Sequence, residues 1–264
     1  MGDFMKNANL VLLKEQLKKI KELGWIKNQR PGNVGGVGNT LEDLLGIEEN
    51  NLQLPDFGEW ELKSQRDSTN ALLTLFHMEP KPRTAKIVKN ILLKNYGWPH
   101  QKAGIKYPLD ERSFRQTINV LSYSDRGFRV NIDYKQEKIF VNFNFSKIND
   151  RHDKWRMYLA QGIGKGDLHP HPFWTFNDLE NKLKKKLSNL MYVHVKTKYE
   201  NGIEYFKYNQ FDAYINPSIE YFLKQVDAGE IYVDFDARTG HNHGTKFRIC
   251  ARSKEHLYQQ HIQI

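Results

Sequence analysis

Two stretches of strict alternation, FRVNIDY at 128–134 and KIFVNFNF at 138–145, flank a short polar turn. A side-chain period of two belongs to strands, so the pair predicts a hairpin. Helix-period segments lie on both sides of it. In LVLLKEQLKKIKEL (10–23), Leu10, Leu13, Leu17 and Ile20 share a face between lysines, and Gly24 stops the pattern. Residues 83–96, NDLENKLKKKLSNL at 177–190, and a segment after Pro217 also read as helices. Strands are expected at 59–66 (EWELKSQR), 71–77 (ALLTLFH), 191–198, 203–208, 231–236 and 245–251. No regular βαβ alternation joins these elements, so the fold class is α+β.

A chain of 264 residues suits one large domain or two small ones. The Gly/His/Pro-rich segment 162–172 (GIGKGDLHPHP) is the candidate loop between two lobes, 1–160 and 161–264. Aromatic residues at 12% exclude a disordered chain. The single cysteine, Cys250, excludes a disulfide framework and a cysteine-rich zinc fold, and suits a reducing cytoplasm. No apolar run approaches the roughly 18 residues of a membrane span. Met1 to Leu13 lack the layout of a signal peptide. A cytoplasmic protein without a membrane partner is therefore expected. The formal charge of +9 suggests a polyanionic partner, although charge speaks to association and not to fold.

The chemistry concentrates in PDFGEWELK, residues 55–63. Asp56 precedes Glu61-Leu62-Lys63, and period two puts Glu61 and Lys63 on one strand face. Two carboxylates converging on a cation suit Mg²⁺, a hard ion that takes oxygen ligands, and the Leu62 carbonyl can complete the protein's share. Lys63 can orient an attacking water and offset phosphate charge. With a bound metal to polarise the phosphoryl oxygen, such a set hydrolyses a phosphodiester. Pro55-Asp56 is expected to start the strand after a loop. Glu42 lies upstream on a short helix, LEDLLG, for which Thr40 is the expected N-cap, behind the Gly-rich loop RPGNVGGVGN. It is available as a third acid. Glu59 shares the expected strand face and rivals Glu61. The bland alternative is a solvated Glu/Lys strand face.

At these residues the chain resembles a known family. GNTLEDLLGIEENNLQLPDFGEWELKSQR, followed by LLTLFH, is similar to the N-terminal catalytic part of the MvaI/BcnI restriction endonucleases, relatives of the mismatch-repair nickase MutH. Near the C-terminus, VDFDARTGHNHGTKFRI resembles the strand–loop–strand in which that family reads bases. The resemblance implies a restriction-endonuclease-like (MutH-like) core whose catalytic and recognition lobes form a DNA cleft. By position it implies Asp56 and Glu61 as metal ligands, Lys63 as catalytic lysine, Glu42 as upstream acid, and His77 as a histidine near the active site and DNA. It matches His241, His243 and Arg248 to residues that contact base edges, and Asp234 to an acid of the same region. Asp236, Arg238 and Lys246 lie in that segment and join the DNA-binding set. Arg suits the O6 and N7 of guanine, and an acid can accept from the N4 of cytosine, so a G·C-rich target fits.

One departure stands out. Family members carry a longer insertion between the acidic strand and the histidine pair, whereas here only residues 237–240 intervene. Asp236 also stands where a basic residue often lies. His-Asn-His at 241–243 lacks the cysteines of a zinc site and is not the spread-out HNH nuclease motif. Neither Gly-rich segment ends as a P-loop does. Lys182, Lys184, Lys185 and Lys186 share one helix and read first as a solvated face, second as phosphate contacts. Arg30, at the head of the Gly-rich loop, is a further candidate phosphate contact. The resemblance thus implies a Mg²⁺-dependent, monomeric, type II restriction endonuclease for double-stranded DNA with a CCNGG-like target, and a protecting methyltransferase as genetic partner. The competing readings are a MutH-like repair nickase, a catalytically inactive DNA-binding protein, and an RNA-binding module.

Overall fold

The computed structural model describes residues 2–33, 35–47, 56–67, 69–163 and 165–264, with side chains from residue 9 onward. Pro55, expected to open the catalytic strand, lies outside the described residues. In chain order the elements begin with α1 (Gly2–Glu22), β1 (Ile26–Lys27), α2 (Gly36–Leu44), β2 (Trp60–Arg66) and β3 (Leu73–His77). Next come α3 (Lys94–Tyr96), β4 (Trp98–Pro99), β5 (Arg112–Ile118), β6 (Arg126–Asp133), β7 (Lys138–Ile148) and α4 (Asp153–Gln161). Then follow β8 (Phe173–Thr175), α5 (Phe176–Lys186), β9 (Asn189–Glu200), β10 (Ile203–Pro217) and α6 (Ile219–Asp227). The chain ends with β11 (Ile231–Arg238), β12 (His241–Asn242), β13 (Lys246–Ile249) and β14 (Tyr258–Gln263).

The chain forms two compact units that interleave in sequence. The first holds residues 1–71, 181–221 and 254–264, and the second holds 72–180 and 222–253. The expected single cut after residue 160 matches none of these boundaries. The segment 162–172 is not a connection between units. It lies within the second, where Leu168 is buried and the Asp167 carboxylate accepts from the Phe143 amide.

In the first unit a sheet runs β1-β10-β9-β2, with β14 added to β10. β2 and β9 are parallel, and the other pairs are antiparallel. The helical stripe anticipated in α1 is real: Leu13, Leu17 and Ile20 are buried. They share a core with Val37, Leu41 and Leu45 from α2 and its end, and with Trp60 and Leu62 of β2 and Met191, Val193 and Val195 of β9. Each fully buried Leu or Val here contributes roughly 1.5–3 kcal/mol. Because Trp60 and Leu62 face this core, period two sends Glu61 and Lys63 to the opposite face.

The second unit contains the sheet β3-β13-β11-β5-β4, with β12 on β11, and a smaller sheet β6-β7-β8. The anticipated hairpin is β6–β7, in antiparallel register from Asp133↔Lys138 onward. Aromatic side chains fill the unit: Phe114 meets Phe128 and Phe235 edge-on, and Trp174 meets Phe247 the same way.

Several elements differ from the sequence expectation. Residues 83–96 are not one helix. A 3₁₀ turn at Arg83–Ala85 ends at Lys86, whose φ of 46° no continuous helix tolerates, and a π-helical turn at Val88–Leu93 leads into α3. Helix 177–190 stops at Lys186, and the apolar run Asn189–Val193 is buried on both faces as the start of β9. Thr40 is not an N-cap. α2 starts four residues earlier, and the buried Thr40 hydroxyl instead accepts from the Gln29 amide at 3.3 Å.

Candidate active site and recognition face

A tight turn brings the candidate catalytic residues together. Phe57 and Trp60 exchange both backbone hydrogen bonds at 2.9 Å, and Gly58 between them has a φ of +59°. This positive φ favours glycine, and a Cβ there would sit 2.7 Å from Asn9 Nδ2, so the end of that side chain would have to shift. The turn folds Asp56 back along β2. Its Oδ2 accepts from the Leu62 amide at 2.8 Å, although Leu62 is six residues ahead. Asp56 therefore sits in a bend before the strand and does not start it.

Glu61 is 1% exposed. Its Oε1 accepts from Lys63 Nζ at 2.5 Å. Its Oε2 lies 2.8 Å from Lys186 Nζ, an ionic contact without hydrogen-bond geometry, so this buried oxygen accepts no hydrogen bond. Lys186 Nζ is also 3.9 Å from Asp56 Oδ1. The two carboxylates thus converge on one ammonium group. Tyr258 is buried nearby. Burial, and then the Glu61 charge, push its phenol well above the usual tyrosine range. It stays neutral and adds no charge to the site.

Glu59, the rival acid, lies in the turn, where its Oε2 accepts from the Asn9 side chain at 2.7 Å. Glu42 is half-buried on α2. Gly38 of that helix faces Ser64, which lies on the Trp60–Leu62 side of β2, so α2 packs on the strand face opposite Glu61. Arg30 makes a bidentate contact to Asp43, at 3.0 and 3.3 Å, on the surface. Among the described residues no group of three or more His, Cys, Asp or Glu side chains is arranged to hold a metal. The all-oxygen pair of Asp56 and Glu61, with an unsatisfied buried carboxylate oxygen, does fit Mg²⁺, which needs one or two carboxylates and keeps several waters.

The C-terminal candidates belong to the second unit and share one face of its larger sheet. On β11, Val233, Phe235 and Ala237 point into the core, and period two sends Asp234, Asp236 and Arg238 outward. On β13, Phe247 and Ile249 are buried while Lys246 and Arg248 face out. Lys246 pairs with Asp234 on one side and His77 of β3 on the other. His77 therefore joins this face in its own unit.

Contacts across the face sort these residues. Arg248 Nη1 donates to Asp234 Oδ2 at 3.2 Å and its Nη2 to the Leu72 carbonyl at 2.8 Å, while Nε is buried without a partner. Asp234 Oδ1 accepts from the Thr117 hydroxyl. Arg238 donates to the buried Glu111 at 3.0 Å and lies over the Tyr107 ring. His241 and His243 are exposed at the turn, ring nitrogens 3.3 Å apart. Asp236 pairs with Arg115 Nε at 2.8 Å across the β5–β11 register. Arg115 is 55% exposed, so a basic group does stand beside the unexpected acid. The sequence singled out neither Arg115 nor Tyr258, and it offered Lys186 only as a solvated or phosphate-contacting lysine. Arg115 sits in a middle segment with no motif, Lys186 was one of four lysines in a run, and nothing local to Tyr258 connects it with Glu61.

The sequence profile of the MvaI/BcnI restriction endonuclease family matches residues 14–258. The fold is similar to a structure described as restriction endonuclease MvaI–cognate DNA substrate complex, at 26% identity and a TM-score of 0.76, covering 96% of this chain and 97% of that one. It is also similar to restriction endonuclease MvaI in the absence of DNA, at 26% identity and a TM-score of 0.54, with 97% of each chain covered. No curated protein sequence matches. A family match over nearly the whole chain, together with this structural likeness, shows that this chain belongs to the MvaI/BcnI restriction endonuclease family and is a site-specific deoxyribonuclease.

Proposed function

We propose that the enzyme hydrolyses both strands of double-stranded DNA at a short G·C-rich target of the CCNGG kind, with Mg²⁺, as a monomer that cuts one strand per binding event. One observation carries the catalytic part: buried Glu61, beside Asp56 and in contact with Lys63 on the same strand face. Asp56, Glu61 and the Leu62 carbonyl would hold the metal. Bound there, Mg²⁺ would polarise the phosphoryl oxygen and lower the pKa of a water. Lys63 orients that water and offsets charge building on the phosphate. Glu42, half-buried on α2, is the upstream acid by position in the family.

The sheet face supports the recognition part. His241, His243, Lys246, Arg248, Asp234 and His77 supply donors and acceptors for base edges and flanking phosphates. Arg115 joins them through Asp236. Arg238, tied to buried Glu111, shapes this face and does not read bases. Arg30 contacts a phosphate: an exposed pair such as Arg30–Asp43 is worth about 1 kcal/mol or less, so exchanging Asp43 for a phosphate costs little. MvaI has been seen with cognate DNA, which favours the same use here.

Digestion of unmethylated phage DNA with Mg²⁺, followed by sequencing of fragment ends, tests this reading. Discrete fragments sharing one G·C-rich end sequence are expected. Nicks alone would favour a MutH-like activity. Binding without cleavage at any Mg²⁺ concentration would mean an inactive site.

A further inference from the structure

The lysine at the end of α5 has a different setting from its neighbours in the run. Lys184 and Lys185 are exposed, whereas the Lys186 side chain is 20% exposed and reaches the acid pair. Its ammonium nitrogen lies 2.8 Å from Glu61 Oε2 and 3.9 Å from Asp56 Oδ1. This is the position shared by both carboxylates, where a bridging cation belongs. Lys63 is placed differently, on the other oxygen of Glu61.

Two physical features set this contact apart from a structural ion pair. A buried pair repays its desolvation only with good hydrogen-bond geometry, and the contact to Oε2 has none. The two ammonium groups also already balance the two carboxylates, so with all four in place the site offers a divalent ion no net negative charge. The lysine stem is long and flexible, and Lys186, at the end of its helix, is 20% exposed, so its head group can reach solvent.

We propose that Lys186 is a tethered resident cation: its ammonium holds Asp56 and Glu61 together in the metal-free enzyme and withdraws when a divalent ion binds. The inference rests on the proposed metal role of these two acids. It makes Lys186 a positioning residue whose removal eases metal entry and loosens the metal-free site.

The test uses the full-length protein without DNA and Mn²⁺ as the probe, with affinity measured by titration calorimetry. Lys186→Met should bind Mn²⁺ about tenfold or more tightly than wild type. Its thermal midpoint without metal should fall and recover with Mn²⁺. Lys185→Met, which removes an exposed charge from the same helix, should leave affinity unchanged. Unaltered or weaker binding by Lys186→Met, with wild type binding normally, would overturn the proposal. Should that variant not fold, wild type decides. Acetylation of Lys186, followed by mass spectrometry, should rise at saturating Mn²⁺, and unchanged labelling would overturn the proposal. Failure of every protein to bind Mn²⁺ would overturn the metal site itself and the proposal with it.

Discussion

Arg248 reaches diagonally from β13 to Asp234 on β11, with Nη1 3.2 Å from Oδ2. The same guanidinium donates to the Leu72 carbonyl, so its plane is fixed before DNA arrives. A preset arginine plane is what bidentate reading of guanine needs. Arg248→Ala should therefore reduce the preference for cognate over random duplex by about 10- to 100-fold, with a smaller loss on random DNA. Asp234→Ala frees the guanidinium and should destabilise the protein by about 1–3 kcal/mol. Competition binding and thermal unfolding check the two. Equal losses on cognate and random DNA would mean that Arg248 contacts a phosphate.

Glu59 and Glu61 compete for the same role in the sequence, and their settings differ. Glu61→Gln should lower cleavage by about 10³-fold or more, because a buried metal-facing carboxylate loses its charge. Glu59→Gln should lose at most the Asn9 contact, worth about 0.5–1.5 kcal/mol of stability, and keep its activity. Single-turnover cleavage of both variants decides. Loss of activity in Glu59→Gln alone would reverse the assignment.

Asp212 ties three strands together. Buried on β10, it accepts from His194 Nε2 on β9 at 2.7 Å and from His261 Nε2 on β14 at 2.9 Å. Burial alone would raise its pKa, but the hydrogen bonds from His261 and His194 outweigh it and hold the carboxyl below its usual value. A depressed folded pKa stabilises the protein above the unfolded value near pH 4, and that stability is lost as pH falls through the folded value. Asp212→Asn should lower the thermal midpoint at pH 7 and flatten its fall below about pH 4. Curves that stay parallel down the acid limb would rule this out.

Much of β2, the proposed catalytic strand, was legible from sequence because its information is local. Trp60 and Leu62 demand a core, and period two then fixes the side of Glu61 and Lys63. The strands at β11 and β13 were legible too, while their faces were settled only by the burial of Val233, Phe235, Ala237, Phe247 and Ile249. The sequence was silent where position depends on distant pairing. Lys186 approaches Glu61 from another chain segment more than a hundred residues away, and only the β2–β9 pairing that follows α5 brings them together. The lysine run offered no feature to distinguish it. Arg115 escaped notice because its partner, Asp236, is set by a β5–β11 register that no local pattern encodes. The interleaved units were hidden for the same reason: each draws its strands from separated stretches of chain.

Lys63 is the residue on which the proposed chemistry depends most directly. Cleavage of cognate duplex by Lys63→Ala, measured at single turnover alongside equilibrium binding, separates chemistry from recognition. The expected result is cleavage reduced by about 10³-fold or more, with specific binding close to wild type. Cleavage near the wild-type rate would contradict the assignment of this strand as the active site.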